Sequence, residues 1–94
     1  LQGHKFMLVV NGACINSDFE WIREHLPGNV SITNVSFELA KIDLQGPKSI
    51  EILEKTIPGQ WRSLTYFNFR QIEFNGYDLI VSRTGYTGEL GYEF

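Results

Sequence analysis

Cysteine is almost missing from this chain: Cys14 stands alone. A lone thiol excludes a disulfide framework and a thiolate metal cluster, and it fits a reducing compartment. Histidine is scarce too. His4 and His25 share no metal-ligand spacing with each other or with Cys14. No base lies near Cys14 in sequence, so it reads as structural. Basic residues are few, 8 against 11 acidic ones, giving a net charge of −3 with the signs interspersed. Nucleic-acid binders need a basic patch to displace counterions, and none is visible. No apolar run is long enough to span a bilayer, and no leader pattern opens the chain. Low-complexity tracts and internal linkers are absent.

What remains is 94 residues with a good supply of aromatics. That is enough for one small domain, which buries only a modest fraction of its surface. Lys5 to Asn11 is a short apolar run of strand formers, the pattern of a strand covered on both faces. Ser17-Asp18-Phe19-Glu20 has capping-box spacing. Phe19, Ile22 and Leu26 follow on one helical face, and Pro27-Gly28 stops the helix. Val30 to Thr33 alternates as a strand. Phe37 to Leu44 reads as another, with a shift of apolar parity. Gly46-Pro47 opens a second helix whose apolar face is Ile50, Leu53 and Ile57, stopped by Pro58-Gly59.

Asn75-Gly76 supplies the two positive φ angles of a type I′ turn, so Tyr66–Phe74 and Tyr77–Arg83 form a hairpin. That turn sets Phe74 opposite Tyr77, Ile72 opposite Leu79, and Glu73 opposite Asp78. The order strand, helix, strand, strand, helix, strand, strand predicts an α+β fold. Its form is a ferredoxin-like split βαβ antiparallel sheet with two helices on one face, extended by a C-terminal β-hairpin. Residues 1–94 read as one domain.

The least generic stretch closes the chain: Ser82-Arg83-Thr84-Gly85-Tyr86-Thr87-Gly88-Glu89-Leu90-Gly91-Tyr92-Glu93-Phe94. Three glycines recur every third residue, which a regular helix or strand would not favour. By residue type alone it is a Gly-rich connection between strands, or a loop that lets backbone approach a ligand. Its order closely resembles the signature of the glycine cleavage T-protein, the tetrahydrofolate-dependent aminomethyltransferase, and its folate-using relatives. Leu8-Val9-Val10-Asn11 and Leu44-Gln45-Gly46-Pro47 agree with the same family, in its order and at about its spacing.

The resemblance implies that the chain is an internal piece of the folate-binding region of a larger protein. It implies tetrahydrofolate as cofactor and a lipoyl-carrying H-protein as partner. It also implies a setting in the bacterial cytoplasm or the mitochondrial matrix. The aminomethyl group on the lipoyl arm would pass to N5 of tetrahydrofolate with release of ammonia. Glu93 matches the family's pterin-binding carboxylate, since one carboxylate can accept from a ring N–H and the amino group beside it. A solvated strand glutamate is the plainer reading of the residue alone. Tyr86 matches a tyrosine lying against the folate. Val9 and Asn11 match the strand lining the pterin pocket, although Val9 by itself reads as core and Asn11 as a turn starter. Tyr66 lies near a further folate-contacting tyrosine. Arg83, Thr84 and Glu89 read as loop-shaping, with Arg83 paired to a carboxylate, and Gln45-Gly46-Pro47 as a tight strand-to-helix turn. The family's essential aspartate is expected upstream of residue 1, so no catalytic residue is assigned within the chain.

Relatives with another one-carbon donor use the same folate site: demethylases, and sarcosine or dimethylglycine enzymes. A folate-binding protein of iron–sulphur assembly carries a Lys-Gly-Cys-Tyr-x-Gly-Gln motif where this chain has Arg83 to Glu89, which counts against it. An RNA-binding module shares the sheet order and needs exposed aromatics such as Phe67 and Phe69. It also needs a basic surface that the composition does not supply.

Overall fold

The computed structural model describes residues 1, 3–85 and 88–94. The chain is α+β. It divides into two compact units, Leu1–Leu39 and Ala40–Phe94.

In the first unit a 3₁₀ turn, Gly12–Cys14, leads into helix α1, Ile15–His25. Asn11 starts the turn, its Oδ1 accepting from the Ala13 amide at 3.2 Å. The helix begins three residues earlier than the capping-box spacing predicts. Cys14 occupies the cap position, and the Ser17 hydroxyl donates to the Cys14 carbonyl at 3.1 Å rather than accepting an amide. Phe19, Ile22 and the C-cap Leu26 are partly covered, as their spacing predicts, together with Ile15 and Asp18. His25 is exposed and stacks on Trp21 with ring centroids 4.1 Å apart.

Two strand expectations change here. Among the described residues no strand pairs with Phe6–Val10, and this run is not a strand. Alternation and propensity prepare a strand, but its ladder exists only with a partner edge. Val30–Thr33 is not a strand either. The Val30 amide closes a turn onto the Pro27 carbonyl at 3.0 Å. Asn34 Oδ1 then takes the Ser36 amide at 3.0 Å, and the Glu38 amide bonds the Val35 carbonyl at 2.9 Å. Those turns consume the groups that a strand starting at Phe37 would have used.

The second unit holds a four-stranded antiparallel sheet, not closed into a barrel: β1 Asp43–Gln45, β2 Phe69–Phe74, β3 Tyr77–Ser82 and β4 Gly91–Glu93, in the order β1-β4-β3-β2. The hairpin is as the Asn-Gly pair predicts. Asn75 and Gly76 have φ of 51° and 82°. Phe74 pairs with Tyr77, Ile72 with Leu79, and Glu73 with Asp78. β4 runs between β1 and β3, with Asp43, Leu44 and Gln45 opposite Glu93, Tyr92 and Gly91.

Helix α2, Ser49–Thr56, follows the turn at Gly46, whose φ of 115° belongs to glycine. Ile50, Leu53 and Ile57 form its inner face, as their spacing predicts. They pack with Trp61, Leu64, Val81 and Tyr92, and Leu44, Ile72, Phe74, Leu79 and Phe94 close around them. Trp61 is 1% exposed and ties its Nε1 to the Ile57 carbonyl at 2.8 Å, so its one polar atom is satisfied. Each such buried side chain stabilises the unit by about 1.5–3 kcal/mol. Helix α2 thus covers one face of the sheet. Alternation sends Asp43, Gln45, Ser82 and Glu93 to the other face. Among the described residues no helix is long and apolar enough to cross a membrane.

Candidate functional site

The open face of the sheet carries a polar chain centred on Glu93. Its side chain is 20% exposed. Lys41 Nζ lies 2.6 Å from Glu93 Oε1 and 2.6 Å from Asp43 Oδ1, bridging the two carboxylates. Thr84 donates its hydroxyl to Glu93 Oε2. Ser82 Oγ is 2.7 Å from Thr84 Oγ1 and 3.5 Å from the Glu93 carbonyl. The register creates this cluster: Asp43 and Ser82 are the two residues paired across from Glu93 on its flanking strands.

The electrostatics follow from these contacts. Hydrogen bonds to Asp43 and to Glu93 hold the Lys41 ammonium above the usual lysine range. One positive group is therefore held between two negative ones on a half-open surface. Both Glu93 oxygens keep lone pairs, because each carboxylate oxygen accepts twice. The site can accept two side-by-side N–H groups from a flat ring.

Beside the cluster, two of the stretches singled out in the sequence meet. A Cβ on Gly91 would come within 1.9 Å of Gln45 Oε1, and one on Gly85 within 2.9 Å of Gln45 Oε1 and Nε2. The Gln45 amide occupies the space left by these two glycines. The glycine run and the Gln-Gly-Pro turn are thus parts of one contact, which sets β4 against β1 at Glu93. The Gly46 amide reinforces it by donating to the Leu90 carbonyl at 2.6 Å.

Arg83 holds the loop by another route than the one expected. Its guanidinium donates to the Leu64 carbonyl at 2.9 Å and lies 4.4 Å from the Tyr66 ring centre, with no ion pair to a carboxylate among the described contacts. A carbonyl and an aromatic face hold the guanidinium in place of a carboxylate, and its Nε is left buried without a hydrogen-bond partner. Tyr66 is half-exposed under that guanidinium. Phe67, beside it, has φ of 61° and is 86% exposed. A cavity of about 180 Å³ lined by Ile50, Arg62, Arg83, Leu90 and Tyr92 lies on the helix side, the opposite face of β4 from Glu93.

Of the site residues expected from sequence, Glu93 and Tyr66 lie in the second unit, and Val9 and Asn11 in the first. Val9 is exposed, and Asn11 spends its side-chain oxygen on the 3₁₀ turn. Tyr86 falls outside the described residues. Lys41 and Asp43 escape a sequence reading. Their two-residue spacing announces a shared strand face, but only the pairing with β4 brings that face to Glu93. Among the described residues no group of three His, Cys, Asp or Glu side chains is placed to hold a metal.

Comparison with known proteins gives a consistent result. The family model described as the GCVT N-terminal domain matches residues 1–94. An aminomethyltransferase of Geobacillus sp. (strain WCH70) is 46% identical over 93 residues, covering 98% of this chain and 25% of that protein. An aminomethyltransferase of Natranaerobius thermophilus is 40% identical over 94 residues, covering 99% of this chain and 26% of its own. One from Bacillus cereus (strain B4264) is 40% identical over 89 residues, covering 94% and 24%. The chain spans about a quarter of the length of these curated relatives. No solved structure matches it significantly.

Proposed function

Since the chain belongs to the GCVT N-terminal domain family, we propose that it forms part of the tetrahydrofolate site of a one-carbon transferase, an aminomethyltransferase acting in glycine cleavage. The name shared by its relatives favours an aminomethyl donor over the methyl donors of demethylases and sarcosine enzymes. The observation that carries the reading is Glu93. Its carboxylate is ionically held, four-fifths covered, and set on an open sheet face beside a tight glycine contact.

The donor set suits a pterin. The ring offers an N–H and an amino group side by side, and a carboxylate accepts both with charge-assisted bonds. Lys41 and Thr84 fix the carboxylate before the ring arrives, so little ordering remains to be done on binding. Tetrahydrofolate supplies the amine N5, which takes up the one-carbon unit carried by the lipoyl arm of an H-protein. This chain's part is to bind and orient. A ring anchored along one edge has its N5 held in a fixed direction, and orientation of that kind lowers a bimolecular barrier. Tyr86, Tyr66, Val9 and Asn11 are proposed to add contacts, and the group acting on developing charge is proposed to be an aspartate outside residues 1–94.

Calorimetric titration of the full-length protein with tetrahydrofolate tests the reading. Glu93→Ala leaves two ring donors unpaired and is expected to cost on the order of 2–4 kcal/mol, roughly a 30- to 1000-fold loss of affinity. Glu93→Gln turns one acceptor into a donor facing a donor and should do nearly as badly. Affinities within about twofold of wild type for both variants would overturn the assignment.

A further inference from the structure

We propose that Lys41 is a specificity residue that reads the carbonyl oxygen next to the ring N–H, so that the site selects a 2-amino-4-oxo pteridine by three groups in a row. The inference rests on the reading of Glu93 given above and extends it to a residue just before β1.

The order of groups along the open face carries it. Thr84 marks the Oε2 side of the Glu93 carboxylate, and Lys41 Nζ marks the Oε1 side at 2.6 Å. From one end to the other the protein presents acceptor, acceptor, donor. The edge of a 2-amino-4-oxo ring presents the complement: amino donor, ring N–H donor, carbonyl acceptor. The spacing agrees as well. Neighbouring groups on such an edge are about 2.3 Å apart, as are the two oxygens of a carboxylate, the 1,3-separation across a trigonal carbon. The step from Oε1 to Nζ is 2.6 Å, close to that interval.

Lys41 also has capacity to spare. An ammonium carries three donors, and two are accounted for by Asp43 and Glu93. Asp43 has a defined part in this. It is a second anchor for Nζ, at 2.6 Å, and it stands opposite Glu93 in the β1–β4 register. Ser82 and Thr84 line the other flank of Glu93 and place no positive group there. The flank at Oε2 carries only hydroxyls, with Thr84 already donating to Glu93, so the charged donor stands on one side, which also fixes which way round the ring lies.

The test is a cycle between protein and ligand. The full-length protein, wild type and Lys41→Met, is titrated with tetrahydrofolate and with the analogue carrying sulfur in place of the ring carbonyl oxygen. The analogue keeps the ring N–H for Glu93 but offers Lys41 only a weak acceptor. Wild type is expected to prefer tetrahydrofolate by about tenfold, the worth of one charge-assisted hydrogen bond. Lys41→Met is expected to lose that preference, bringing the two ligands within about twofold. The Lys41 side chain is 42% exposed, so the fold tolerates the change. Equal weakening of both ligands by Lys41→Met would mean that Lys41 only positions Glu93, and an undiminished preference would mean that it does not touch the ring. Either result overturns the proposal. Glu93→Gln, run alongside, keeps the two readings apart. If it leaves tetrahydrofolate affinity unchanged, the Glu93 assignment itself falls. If it weakens binding while Lys41→Met leaves the preference intact, only the role of Lys41 falls.

Discussion

Gly91→Ala tests the contact that sets β4 against β1. The added methyl would lie 1.9 Å from Gln45 Oε1, 2.3 Å from its Cδ and 2.7 Å from Nε2. Ordinary contact begins near 3.5 Å, so the whole terminal amide must leave. Backbone movement is the costlier escape. Gln45 and Gly91 are ladder partners, and the adjoining Gly46 amide is anchored on the Leu90 carbonyl at 2.6 Å. The glutamine side chain turns about three torsions, so it swings away instead, giving up its place against the two glycines. Overpacking of this kind costs about 1–3 kcal/mol. Gly91 does not have a positive φ, so alanine itself fits the backbone. In a Gln45→Ala background the obstacle is gone, and Gly91→Ala should become neutral or stabilising by about 0.5 kcal/mol, because glycine is entropically costly in a strand. A double-mutant cycle measured by urea unfolding of the full-length protein reads the coupling, expected at about 2 kcal/mol. A single-variant cost below about 0.5 kcal/mol, or the same cost in both backgrounds, would refute the contact as the reason for this glycine.

Stability should fall on the alkaline side. Burial pushes the Tyr92 phenol above the usual tyrosine range, and hydrogen bonds to Asp43 and Glu93 push the Lys41 ammonium above the usual lysine range. In both cases the unfolded chain loses its proton first. The stabilisation is complete below the unfolded pKa values, near 10, and fades as pH rises through the folded ones. Tyr92→Phe should flatten the phenol's part of that decline in melting temperature between about pH 9.5 and 11.5, and an unchanged slope would count against its burial as the cause. Gly76→Ala places a side chain at φ of 82° in the hairpin turn. Open space surrounds it, so only backbone strain acts, and urea unfolding should show a loss of about 1–2 kcal/mol.

Much of the second unit could be read from local chemistry. Asn75-Gly76 dictates a type I′ turn, and the turn dictates the register of β2 and β3, because a two-residue loop leaves no slack. Ile50, Leu53 and Ile57 share a helical face by spacing alone, and that face is the core. The strand character of Tyr92-Glu93 was legible, as was the unusual nature of the glycine run before it. Residue type and alternation carry this information because it concerns neighbours within a few positions.

Pairings across long separations were decided only in three dimensions. Phe6–Val10 has the composition of a buried strand but is not one here, since composition cannot supply a partner edge. Lys41 and Asp43 looked like ordinary charges two positions apart. Their meeting with Glu93 depends on β1 lying beside β4 in a register that pairs Asp43 with Glu93. The glycine spacing likewise has no local explanation, because the side chain that fills the space at Gly85 and Gly91 belongs to Gln45, some forty residues earlier. The sequence by itself determined which residues turn, which face inward and which carboxylate to suspect. The sheet order, which no local interaction specifies, decided what that carboxylate touches.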